Sequence, residues 1–148
     1  MNKPKIILSI LSIFLGNSIS LNNQYNDLRI VFYYNSSSLY TDTGRSIEQI
    51  INGYYEIRKE FSYDDIKSFD SIEKVLNEKP VFVDDLDRLI SRKSFVNCLC
   101  VISLGQIEIL SFTYDETNDG YALYNGDLIE RSKILDDFSK YLISLLEE

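Results

Sequence analysis

The chain has 148 residues, 15 basic against 23 acidic side chains and a formal charge of −8, with neither histidine nor tryptophan. An excess of acid this large argues against a nucleic-acid binder or a ligand of anionic membrane surfaces, both of which need clustered Lys and Arg. The absence of histidine removes the commonest general base, the commonest metal ligand and every Ser-His or Cys-His nucleophile pair.

The N-terminus reads as an address rather than a structure. Lys3 and Lys5 precede an apolar run from Ile6 to Leu15, followed by Gly16 and Ser18-Ile19-Ser20. A cationic start, a short hydrophobic stretch and small residues before a cut are the layout of a secretory signal peptide. The run is half the length a bilayer span requires. Residues 1–20 are therefore expected to be removed, leaving residues 21–148 as one exported domain with no membrane insertion. The leader holds two of the basic residues and no acid, so the remainder is two charges more negative than the whole chain. In a Gram-negative host the location would be the periplasm; otherwise the protein would be secreted.

Leu28–Tyr34 (LRIVFYY) is β-branched and aromatic and predicts the first strand. Asn35–Ser46 is a polar loop, and its Asn35-Ser36-Ser37 triplet matches a glycosylation sequon. Ser46-Ile47-Glu48-Gln49 has the form of a capping box and predicts a short helix over Ile47–Ile51, with a strand as the competing reading. Tyr54–Phe61 alternates apolar and charged residues, as a strand with one wet face does. Asp64–Asn77 places Ile66, Phe69, Ile72, Val75 and Leu76 at helical spacing and predicts one continuous helix ended by Lys79-Pro80. Val81–Val83 predicts a short strand and Asp84–Ile90 a helical turn.

Phe95–Leu104 is apolar on both faces, as a central strand should be, and Gly105-Gln106 turns it into an antiparallel partner at Ile107–Tyr114. Asn125-Gly126 between Tyr121–Tyr124 and Asp127–Glu130 is a strong hairpin signal, because a type I′ turn needs positive φ at both central residues. Ser132 is placed to cap a last helix reaching about Leu146, whose Ile134, Leu135, Phe138, Tyr141, Leu142 and Leu145 form one apolar stripe. The expected fold is α+β: an antiparallel sheet of about five strands with two main helices packed on one face.

Cys98 and Cys100 flank a single Leu99, so on a strand they share a face. Two small buried thiols are the expectation, and a strained disulfide between them is the alternative. Asp115-Glu116-Thr117-Asn118-Asp119-Gly120 opens like a calcium loop but has Gly126 where a bidentate Glu should stand. It reads as an acidic hairpin loop, and no metal or other cofactor is expected. Asp84, Asp85 and Asp87 form a second acidic cluster, read as a solvated helix start or an interaction patch.

Eleven tyrosines in a chain without tryptophan supply large contact surfaces of the kind that interfaces favour. These observations point away from an enzyme and toward a small binding or inhibitor protein. Its most concrete form is an immunity protein that neutralises a toxin. A basic protein partner would be met by Asp84, Asp85, Asp87, Tyr114, Asp115, Glu116, Asp119 and Tyr121. A carboxylate-based enzyme acting on envelope glycans and a structural component assembling through a sheet edge are the alternatives.

Overall fold

The structure is a computed structural model, and it describes residues 25–35, 47–66, 68–69, 72–83, 98–115 and 121–147. Six strands are described: β1 (Leu28–Tyr34), β2 (Ile57–Ser62), β3 (Cys98–Leu104), β4 (Ile107–Tyr114), β5 (Tyr121–Tyr124) and β6 (Asp127–Glu130). They form one sheet in the order β2-β1-β3-β4-β5-β6, with every neighbouring pair antiparallel. The described helices are α1 (Ile47–Ile51), α2 (Tyr63–Ile66), α3 (Ile72–Leu76) and α4 (Lys133–Leu146). The class is thus α+β, with six strands where about five were expected. The expected signal peptide lies outside the described residues.

Side-chain alternation sorts the sheet into two faces. Leu28, Ile30 and Phe32 of β1 point the same way as Cys98, Cys100 and Ile102 of β3 and Leu110 and Phe112 of β4. They pack under α3 and α4 in the main core, which Ile66 of α2 joins. Leu135, Phe138 and Leu142 are the buried stripe of α4, and Phe138 meets Phe69 and Phe112 at ring-centroid distances of 5.0 and 6.3 Å. On the opposite face Val31, Tyr33, Leu99 and Val101 lie beneath Ile47 and Ile50 of α1. The helices of the Asp64–Asn77 and Ser132–Leu146 segments therefore share one face, as expected of the two main helices, and the short α1 covers part of the other.

Ile47–Ile51 is a helix, not a strand, with Ile50 as its buried anchor. The helix expected over Asp64–Asn77 is instead two short pieces, α2 and α3, although Ile66, Ile72, Val75 and Leu76 are all buried as its stripe requires. Phe69 N–H donates to Ile66 O, a turn bond rather than a continuing ladder. The Ser68 hydroxyl in this turn lies 2.6 Å from the Tyr141 hydroxyl, which ties the break between α2 and α3 to α4.

Both expected turns form. Gly105 has φ 63°, and Asn125 and Gly126 have φ 51° and 85°, the paired positive values of a type I′ turn. Asn125 also fastens the hairpin to β4: its N–H donates to Ser111 O at 2.7 Å, and its side-chain oxygen accepts from Ser111 N–H at 2.8 Å. The register shift in β4 comes at Ile109, between the Leu110 and Glu108 partners of Ile102 and Ser103, and turns Ile109 into the core. Ser132 caps α4 by accepting from Leu135 N–H at 3.4 Å.

Candidate protein-binding surface

The β6 edge of the sheet carries two exposed apolar residues, Val81 and Phe82. Pro80 lacks an N–H, and the three residues after it run antiparallel along β6. Glu130 N–H donates to Val81 O at 2.9 Å, Val83 N–H donates to Leu128 O at 3.0 Å, and Phe82 sits opposite Ile129. The expected short strand at Val81–Val83 is thus present as a bridge that covers part of the β6 edge. Val81 and Phe82 are each 59% exposed, and the Phe82 ring stands edge-on to Tyr124 at 6.4 Å. Asp84 follows Val83 directly in the chain.

Beside this rim lies an open cleft of about 590 Å³ between α3, the Glu78–Val81 segment and the β6–α4 junction. Lys74, Lys79, Arg131 and Lys133 line it together with Glu78 and Asp137. Its charges largely answer one another. Lys133 Nζ binds Asp137 at 2.5 Å, which holds the ammonium pKa up. Arg131 Nε donates to Asp136 at 3.0 Å, yet burial pushes the Asp136 carboxyl up from its ordinary value. Ser132 Oγ donates to Glu78, so this hydroxyl serves the helix cap and a carboxylate at once. Burial, then Glu78, pushes the Tyr124 phenol up. The arrangement supplies a polar cleft with an apolar lip, a shape suited to gripping a protuberance of a partner.

The residues singled out from the sequence divide in three. Tyr114 and Asp115 are in the interior, 5% and 7% exposed, and the Arg131 guanidinium lies over the Tyr114 ring at 5.2 Å. They can support a neighbouring surface but present little of themselves to a partner. Tyr121 is half-buried at the start of β5, opposite Glu130. Asp84, Asp85, Asp87, Glu116 and Asp119 lie outside the described residues. Their anchors are nevertheless fixed: Val83 meets β6 at Leu128, near the Asn125-Gly126 turn, whereas Tyr121 meets β6 at Glu130. Val83 and Tyr121 thus meet β6 from its two sides, two residues apart along the strand, a shift of roughly 7 Å at about 3.3 Å per residue.

Cys98 and Cys100 are both buried thiols, not a disulfide. They point to the main core from β3, and burial, then the neighbouring Cys98, raises the Cys100 pKa well above the ordinary thiol value. Asn35, the sequon residue, is also interior. Its amide donates to Tyr54 O at 3.2 Å and its carbonyl accepts from Glu56 N–H at 2.9 Å. No group of three or more His, Cys, Asp or Glu side chains able to hold a metal occurs among the described residues, and none of the described helices is long and apolar enough to cross a membrane.

The sequence reading missed Phe82 and the cleft. A three-residue run such as Val81–Val83 is too short for alternation to say which side chain faces out, and the cleft joins residues about fifty positions apart. Comparison with family models, with curated proteins and with solved structures gives no match to this chain.

Proposed function

We propose that this protein is a small exported binding protein that acts by occupying a basic protein partner, most concretely an immunity protein that neutralises a toxin outside the cytoplasm. The observation that carries the reading is the exposed Val81-Phe82 pair on the rim of the β6-side cleft, immediately followed in the chain by Asp84, Asp85 and Asp87. An apolar, aromatic centre with a charged rim is the composition of a protein interface, and a half-exposed aromatic is the residue type that dominates interface energetics. The acidic balance of the chain would speed encounter with a basic partner and make it salt-sensitive. Neither step requires a catalytic group.

The test is affinity capture from host envelope extract with the native chain and with Phe82→Ala, followed by assay of the captured partner. One stoichiometric partner that is lost with Phe82→Ala, weakens with salt and is inactivated when the chain is added back is the expected result. Equal capture by the variant would remove Phe82 from the surface. A partner whose activity is untouched by the chain would overturn the inhibitor reading.

A further inference from the structure

The far edge of the sheet has a different character from the β6 edge. β2 is the terminal strand of the described sheet, and four successive residues, Ile57, Arg58, Lys59 and Glu60, are exposed. Among the described residues no strand lies beyond β2, and such an edge offers a row of backbone donors and acceptors to another strand. Its side chains are arranged so that the strand complements itself.

We infer that β2 pairs antiparallel with β2 of a second copy, about a twofold axis through Lys59. Residues facing each other across such an axis have numbers that add to twice that of the residue on it. Arg58 of each copy then stands opposite Glu60 of the other, giving two reciprocal ion pairs on one face. On the other face Ile57, 39% exposed, comes beside Phe61 of the second copy. Within one copy Arg58 and Glu60 already approach at 4.0 Å, with Arg29 bonded to Glu60 from β1, so the carboxylate is held on the face where the second Arg58 arrives. Shifting the register by one dyad position sets Arg58 against Arg58 or Glu60 against Glu60, and like charges directly opposite are destabilising.

Lys59 meets its own copy at the axis, the one unfavourable contact of the arrangement. Its ammonium lies over the Phe61 ring at 5.3 Å, drawn back along the strand rather than projecting from it. A single strand-to-strand seam buries less than a standard interface of about 800 Å² per partner, so a weak, reversible dimer is expected. The dimer places the two Val81-Phe82 rims at the outer ends of a continuous sheet, making the assembly bivalent toward a partner presenting two sites.

Sedimentation velocity on the purified chain, over a concentration series reaching about 1 mM, tests the inference. The expected result is a concentration-dependent monomer–dimer equilibrium. Arg58→Glu and Glu60→Arg should each abolish it by facing like charges at both cross-strand positions, and the double exchange should restore it. Lys59→Thr should tighten the dimer by roughly two- to fivefold by removing the axial repulsion, a gain that misfolding does not mimic. A monomer at every concentration would overturn the inference, as would a dimer indifferent to the single charge reversals. Either failure leaves the Phe82 capture result untouched, because the two surfaces sit at opposite edges of the sheet.

Discussion

Phe138→Ala is the sharpest test of how the sheet and its long helix are joined. Phe138 is fully buried on α4, with Phe69 at 5.0 Å, Phe112 at 6.3 Å and Tyr141 at 6.5 Å between ring centroids. Phe112 belongs to the sheet and Phe69 to the turn between α2 and α3, so one ring bridges three elements. Truncating such a residue costs about 3–5 kcal/mol, the lost transfer energy plus the cavity left behind. A domain of this size is stable by only about 5–15 kcal/mol in total. Urea unfolding should therefore show a midpoint lowered by about a fifth or more of its native value with an unchanged m-value. Tyr141→Phe is the matched control. It keeps the ring and removes only the hydroxyl that lies 2.6 Å from Ser68 Oγ at an exposed site, so its cost should stay near or below about 1 kcal/mol. A loss under about 1 kcal/mol for Phe138→Ala, or equal losses for the two variants, would refute the bridging role.

Three further outcomes follow from the same structure. Neither Cys98 nor Cys100 should react with an aromatic disulfide reagent in the native protein, and both should react in denaturant; an unreactive denatured chain would mean they are joined. Gly126→Ala should cost about 1–2 kcal/mol by thermal or urea unfolding, because φ 85° is strained for any side chain even though nothing crowds the site. Burial, then Glu73 and Tyr63, raises the Tyr25 pKa from 10.0 to about 12. Its contribution to stability is therefore complete below pH 10.0 and is lost as pH rises through about 12. Tyr25→Phe should flatten that alkaline limb, and an unchanged limb would show that Tyr25 does not titrate with unfolding.

Local chemistry explains which parts of the fold could be read from the sequence. β1, β4 and the β5–β6 hairpin lie where expected because alternation and the Asn125-Gly126 turn are short-range signals that tertiary packing reinforces. Ser132 and the stripe from Ile134 to Leu145 likewise specify α4 alone. The Asp64–Asn77 segment misleads because its apolar spacing is genuine, and burial of Ile66, Ile72, Val75 and Leu76 satisfies it whether or not the backbone between them stays helical. The interaction surface was less legible. Tyr114 and Asp115 carry interface-type side chains, but both are buried, Tyr114 by its pairing with Cys98 in the sheet, and composition does not encode that burial. Phe82 faces outward only because Val81–Val83 docks on β6, a contact between positions almost fifty residues apart.

The two hydrogen bonds of the Asn35 amide have a practical bearing on how the protein is made. In an unfolded chain entering a glycosylating secretory route, Asn35-Ser36-Ser37 is open to the transferase. Once folded, the same nitrogen is spent on Tyr54 and the amide oxygen on Glu56. In that state Asn35 is only 4% exposed, so sugar addition and closure of the β2 entry exclude one another for want of space. Material from a eukaryotic secretion host would emerge as two populations, one native and one with the start of β2 unpinned. Asn35→Gln would avoid the sugar without restoring the clamp, so production in a bacterial host is the route that keeps this corner of the sheet intact.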